Sequence, residues 1–140
     1  MKPWLAAAQI AGLLFAVGAC SMSAAAKKTP MASDVLVVPA DLPTQRLFAC
    51  AETSIAQLSE TSSSWPKVTR KDDAKGVLES GNFEEVNRSG FRMRIERPQG
   101  ASQARIALKG AGAYFVDLGV EQAMKDLKAS LDRCVAAQPH

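Results

Sequence analysis

The last helix of the chain constrains the fold most, because its amphipathic pattern is the strongest in the sequence. Between Val120 and Val135 the apolar residues recur at helical spacing and form one stripe, while charged residues cluster on the opposite side. A helix of this kind needs a second layer of protein to cover its stripe. The stripe contains Cys134, so we expect this thiol to face the core or another helix.

A second amphipathic helix is predicted earlier in the chain. Asp41 or Thr44 is a candidate N-cap, and Pro43 suits the first turn. The apolar stripe consists of Leu47, Phe48, Ala51, Ile55 and Leu58. Cys50 lies at the edge of this stripe, and the polar run 59–64 ends the helix.

The residues between the two helices have the patterns of strands and turns. Residues 91–95 and 104–108 alternate apolar and polar side chains, which is typical of half-buried strands. Residues 97–100 suit the turn between them. Residues 110–112 suit a second turn, and residues 113–118 are predicted as the next strand.

The segment before these strands is harder to interpret. Residues 65–69 suit a strand, and residues 72–81 suit either a short helix or a strand. The order helix, strands, helix predicts an α+β fold. We expect an antiparallel β-meander of three to five strands, with the N-terminal and C-terminal helices packed on one face.

The first 19 residues have the order of a secretory signal peptide. Met1 and Lys2 give a positive start, Trp4 to Val17 is apolar except for Gln9, and small residues follow. As a helix, the 14 residues of the apolar stretch would span about 21 Å, whereas a bilayer core is about 30 Å thick.

The residues 17–20, Val-Gly-Ala-Cys, resemble the lipobox of bacterial lipoproteins. This resemblance implies that residues 1–19 are removed and that Cys20 carries diacylglycerol and a further acyl group such as palmitate. Ser21 directly follows Cys20, and in lipoproteins of this class a residue other than Asp at that position favours sorting to the outer membrane. The resemblance therefore implies an anchor at the periplasmic face of the outer membrane. Two alternatives remain: cleavage near residues 24–26, which would release a soluble periplasmic protein, and an uncleaved anchor.

Residues 20–40 are rich in Ser, Ala, Lys and Pro and have no sustained period, which predicts a flexible tether. Within it, residues 35–38 suit a short edge strand. The folded domain is then expected at residues 41–137.

The cysteine count agrees with export. If Cys20 is lipidated or removed, Cys50 and Cys134 remain, and an oxidising compartment favours a disulfide between them. It would close a loop of about 85 residues, worth roughly 4.5 kcal/mol in the chain-entropy model, and join the two helices. Two separate buried thiols are the alternative.

Little in the sequence suggests catalysis. The single histidine is His140, the last residue, so a Ser-His-Asp triad or a His-rich metal site is not expected. We therefore predict a protein that is not an enzyme and has no cofactor and no metal. The net charge of +3 is too small for a dedicated nucleic-acid binder.

Four cations alternate with the core residues of the predicted strands and should point away from the core: Arg92, Arg94, Arg105 and Lys109. Such a face suits an anionic ligand, and a solvated charged surface is the alternative. Trp65 and Tyr114 are candidates for a small apolar pocket between sheet and helices, or else for ordinary core residues.

These patterns together predict a small lipid-anchored protein of the cell envelope, acting as a non-enzymatic accessory or binding module that faces the periplasm. Its expected partners are the membrane, through the anchor, and an envelope protein or an anionic envelope polymer. The alternative is a soluble secreted binder of a small anion or glycan in the periplasm.

Overall fold

The computed structural model describes residues 28–86 and 88–139. The predicted leader 1–19, Cys20 and His140 lie outside the described residues. The elements are β1 Met31–Val37, α1 Thr44–Thr61, β2 Val68–Asp72, β3 Val77–Ser80, β4 Gly90–Glu96, β5 Gln103–Ala111 and α2 Val120–Ala136. A short 3₁₀ turn, Ala113–Phe115, lies between β5 and α2.

The five strands form one antiparallel sheet in the order β1-β5-β4-β3-β2. Strands β2 to β5 are a meander, and β1 pairs with the free edge of β5. Both helices lie on the same face. On that face Asp34 of β1 binds Lys128 of α2 at 3.3 Å, and Lys71 of β2 binds Glu52 of α1 at 3.3 Å. The predicted α+β fold is therefore confirmed.

The core lies between this helix face of the sheet and the apolar stripes of α1 and α2. The alternation predicted for β4 and β5 is confirmed, because the helix-facing residues of both strands are buried. They are Phe91, Met93, Ile95, Ala104, Ile106 and Leu108. The helices cover them with Leu47 and Phe48 from α1 and Leu127 and Leu131 from α2.

The predicted disulfide is present and joins the two helices. Cys50 of α1 and Cys134 of α2 are bonded, with their Cα atoms 5.7 Å apart. One turn further along α1, the hydroxyl of Ser130 donates a hydrogen bond of 2.8 Å to that of Ser54. The helix pair is thus linked by a covalent bond and a buried hydrogen bond.

The strand predicted at residues 113–118 is wrong. Strand β5 continues through Ala111, so residues 110–112 are not the predicted turn. Tyr114 and Phe115 have φ values of 54° and 60°, in the left-handed region, which is incompatible with extended backbone. The chain instead closes a tight turn in which the Gly112 N–H donates to the Val116 carbonyl at 2.7 Å.

The predicted tether contains a complete strand. Residues 31–37 pair with β5 along their whole length, and Ala32 and Leu36 are buried on the helix face. Because burial of these side chains favours docking over a free tether, the folded part begins well before residue 41. The short edge strand expected at residues 35–38 is the end of this longer one.

The start of α1 also differs from the prediction. Pro43 is the N-cap, and its side chain has no oxygen to cap the helix. The Thr44 hydroxyl donates to the carbonyl of Arg97, at 3.2 Å, so it joins the helix start to the β4–β5 turn. For residues 72–81, the strand alternative is correct, as β3.

Candidate functional site

The face of the sheet opposite the helices, here called the open face, carries the four predicted cations. The register places Arg92 beside Lys109, Arg94 beside Ala107, and Glu96 beside Arg105. The predicted direction of these side chains is therefore right. Their exposure is a different matter, because residues 81–86 form a loop that folds back over one end of the open face.

Arg92 is buried by this loop, with 2% of its surface exposed. Its Nη1 atom donates to the backbone carbonyls of Phe83 and Glu85. Loss of water around the guanidinium lowers the pKa of Arg92. The prediction that Arg92 belongs to a contact surface is wrong, since it fastens the loop instead.

Phe83 covers two more of the cations. Its ring centre lies 4.5 Å from the guanidinium carbon of Arg94 and 4.1 Å from Nζ of Lys109, both within cation–π range. Lys109 also donates to the Phe83 carbonyl at 2.9 Å. Burial, followed by the charge of Arg92, lowers the pKa of Lys109. Lys109 is half-buried and engaged with the loop.

Arg94 is held by carboxylates on two sides. Its Nη2 atom lies 3.1 Å from Glu79 of β3 and also binds Glu84 of the loop. Glu79 in turn binds Arg70 of β2 at 2.9 Å, so the charges form a network across three strands. The hydrogen bond from Arg94 lowers the pKa of Glu84.

Among the four cations, Arg105 is the one with the predicted exposure, and its role in binding stays a prediction. It is exposed, and none of the described carboxylates lies within ion-pair distance of it. Its neighbours across the sheet are Val35 on β1 and Glu96 on β4. It remains available to a ligand.

Arg105 lies at the edge of a depression of about 550 Å³ on the open face. Apolar side chains of β1 and β5 line one part of it (Met31, Val35 and Ala107), and Phe83 lines another. Its charged residues are two cations, Arg94 and Arg105, and two carboxylates, Asp34 and Glu96. The Nε atoms of Arg92 and Arg94 are buried without a hydrogen-bond partner among the described residues. The site therefore combines apolar surface with the exposed Arg105 and with the unpaired Nε of Arg94, beside carboxylates.

Sequence reasoning missed Phe83 and Glu79, which complete this site. Neither residue belongs to a periodic pattern, so only the fold of the loop and the pairing of β3 with β4 reveal their roles. Arg97, assigned to a turn, is also fully buried. Its guanidinium donates to the Leu42 and Pro39 carbonyls at 2.6 and 3.1 Å.

The apolar pocket predicted for Trp65 and Tyr114 does not form. Trp65 is buried against Phe91, with ring centres 4.6 Å apart, whereas Tyr114 is 88% exposed. The core-residue alternative is correct for Trp65 only.

Within residues 28–86 and 88–139, no three His, Cys, Asp or Glu side chains come together in a group suited to a metal ion. In the same part of the chain, neither helix has the length and apolar character needed to cross a membrane.

No protein-family model matches the sequence, and no curated protein matches it. Among solved structures, one described as "Crystal structure of Ara h 8.0201" is similar to this chain with a TM-score of 0.44 and 14% identity. The alignment covers 79% of this chain and 100% of the other.

Proposed function

We propose that the chain is a non-enzymatic binding module of the cell envelope, exported and anchored through lipid on Cys20. The observation that carries the proposal is the disulfide between Cys50 and Cys134. Structural disulfides persist in oxidising compartments and are rare in the cytosol, so the bond supports export independently of the leader pattern. It also leaves Cys20 as the one cysteine outside the pair.

The open face is the proposed binding surface. Apolar Met31 and Val35 lie beside the free cation Arg105, so the depression suits a partner that offers both an apolar portion and a negative charge. An acidic envelope protein or an anionic envelope polymer has this chemistry. The remaining cations, paired within the protein, stiffen the surface and add little net attraction.

Anchoring is tested by the intact mass of the protein purified from membranes, with and without reductant. We expect a chain that starts at Cys20, carries acyl chains and gains two hydrogens on reduction. Cys20→Ala should release the protein from membranes, whereas the matched control Ser21→Ala should leave it bound. A product that begins at Met1, or membrane binding unchanged in Cys20→Ala, would contradict the proposal.

Binding by the open face is tested with a charge reversal. Arg105→Glu should weaken retention on immobilised peptidoglycan or lipopolysaccharide, or recovery of a crosslinked acidic envelope protein, by several-fold. The control is Lys125→Glu, which makes the same charge change on the exposed side of α2. Equal binding by both variants would exclude Arg105 from the contact.

The second candidate is a soluble periplasmic binder of a small anion. The unpaired Nε donor of Arg94, which lines the depression, favours it, because buried polar groups normally find a partner, an ion or a water molecule. The depression is also within the size range of small-molecule sites. In that case the mature mass should show cleavage near residues 24–26 and no lipid.

A further inference from the structure

One end of the sheet presents apolar side chains to solvent. We call it the apolar tip and define it by Val86, Tyr114, Val116 and Leu118. Tyr114 and Val86 are 88% and 81% exposed, and Val116 is 61% exposed. Leu118 is partly exposed. The tip contains most of the large hydrophobic side chains that the described part of the protein leaves in water.

The two loops of the tip lie at the same end of the sheet. Gly90, where β4 begins, is paired with Ala111, where β5 ends, so the loop before β4 and the loop after β5 are neighbours. Arg88 and Ser89 of the first loop line a small depression together with Tyr114 of the second. The two loops therefore form one surface at this end of the sheet.

The second loop is a tight turn that presents its aromatic residue to solvent. Tyr114 and Phe115 both have positive φ, a conformation that bulky residues rarely adopt. The hydrogen bond from the Gly112 N–H to the Val116 carbonyl and the one from Leu118 to Gly110 hold the turn closed. The Val116 N–H also donates to the Ala113 carbonyl at 3.2 Å, and a tight hairpin turn of this kind needs positive φ at both central residues. The turn holds Tyr114 in solvent.

Strand β1 also begins at this end. Met31 lies opposite Lys109, and the Pro30 carbonyl accepts a hydrogen bond of 3.0 Å from the Gly110 N–H. Pro30 is ten positions after Cys20, and a fully extended chain of that length reaches at most about 35 Å. Acyl chains on Cys20 would therefore hold the apolar tip close to the bilayer.

We propose that the apolar tip rests in the headgroup region of the membrane that holds the anchor, with Tyr114 and Val116 inserted. This inference relies on the proposed lipid anchor at Cys20. Tyrosine suits the interface because its ring is apolar and its hydroxyl is polar. Glu84 and Glu85 lie in the first loop of the tip, so their charges favour shallow insertion over deep burial.

Such an orientation has a consequence for the binding surface. The β4–β5 turn at residues 97–102 lies at the opposite end of the sheet and would point away from the bilayer. The strands would run roughly perpendicular to the membrane plane. The open face would then be accessible from the side, to a neighbour anchored in the same leaflet.

The test places a tryptophan at each end of the sheet in the full lipidated protein. The variants are Tyr114→Trp and, as a second tip reporter, Val116→Trp. The control Val37→Trp lies at the far end of β1, about 20 Å from Met31, and Val37 is 74% exposed. Trp65 is buried beside Phe91, near the tip end, and is present in every variant, so its signal is measured in the protein without an added tryptophan and subtracted.

Each variant is reconstituted into vesicles of phosphatidylethanolamine and phosphatidylglycerol with brominated acyl chains. We expect fluorescence at position 114 or 116 to fall by at least a third relative to unbrominated vesicles, and fluorescence at position 37 to stay unchanged. Equal quenching at both ends, or none at either while the protein floats with the vesicles, would overturn the tip proposal alone. Failure to float would overturn the anchor and the tip together.

A last measurement tests whether protein, instead of the membrane, covers the apolar tip. In detergent-free solution, the tip reporter of the non-lipidated Cys20→Ala variant should be open to quenching by acrylamide. Protection without lipid would mean that another part of the chain or a second copy covers the tip, and the membrane proposal would be wrong.

Discussion

The two faces of the sheet obey the same alternation of side chains but are stabilised in different ways. On the helix face, Met93 and Ile95 are buried by helices whose own stripes are visible in the sequence. On the open face, Arg92 is almost as well buried, yet a loop with no clear pattern covers it. Alternation thus assigns a side chain to a face, but it does not say what will cover that face.

The difference follows from the forces involved. Hydrophobic burial is non-directional, so any apolar stripe of suitable length covers an apolar sheet face. The open face depends on directional contacts, such as Arg94 with Glu79 and Lys109 with the Phe83 carbonyl. Each of these needs one particular partner, and the partners are distant in sequence.

The largest effect is expected on the helix face, from the disulfide. Replacing Cys50 and Cys134 together by alanine should lower the free energy of unfolding by about 4 kcal/mol, because the bond restricts a long loop in the unfolded chain. Urea denaturation under oxidising conditions measures the loss. Wild type treated with reductant is the control and should lose a similar amount. A loss below about 1 kcal/mol would show that the helices need no covalent link.

The next two predictions compare the two faces at neighbouring residues of β4, Met93 and Arg92. Met93→Ala should cost about 3 kcal/mol, since it leaves a cavity at a fully buried position of the helix face. The cost should be global and appear as a lower denaturation midpoint by every probe. A loss confined to one loop would contradict the assignment of Met93 to the shared core.

Arg92→Met should cost less, about 1–3 kcal/mol, because it keeps much of the side-chain volume but removes the donor to the Phe83 and Glu85 carbonyls. The sharper expectation is local. Hydrogen exchange should accelerate in residues 83–86 and stay unchanged in α1 and α2. Equal acceleration throughout the domain would mean that Arg92 acts as a core residue and that the two faces do not differ.

The smallest effect concerns pH. The hydrogen bond and charge of Arg94 lower the pKa of the Glu84 carboxyl from its ordinary value of 4.5. A carboxyl with a depressed pKa in the folded state stabilises the fold above the unfolded-state pKa, and this contribution disappears as pH falls through the folded value. Carbon NMR titration should find Glu84 below 4.5, and Arg94→Gln should return it to the ordinary range. No change in the variant would remove Arg94 as the cause.

Much of the fold could be predicted from the sequence because its signals are local and redundant. The spacing of apolar residues predicts both helices and the alternation of β4 and β5. The cysteine count predicts the disulfide partners. The predicted strand at residues 113–118 was wrong because apolar content does not reveal the positive φ of Tyr114 and Phe115. Strand β1 was mostly missed because its apolar residues, Ala32 and Leu36, are few and spaced among polar ones.

For the candidate site, the sequence predicted only that the four cations point away from the core. Arg105 is exposed as expected, while Arg92 is buried and Arg94 and Lys109 are engaged by residues 79–84. Whether a cation is free depends on which acids and carbonyls reach it, and that is a property of loop closure.

By itself, the sequence determined the layers of this protein: two amphipathic helices, a sheet with one apolar face, and a pair of thiols on stripes that must meet. Burial of apolar surface depends on the composition and on the spacing of apolar residues, so these features can be predicted from the sequence. Only the tertiary structure decided which cations remain free and which end of the sheet exposes its apolar loops. Those outcomes depend on contacts between residues far apart in the chain and on backbone angles that no side-chain pattern specifies.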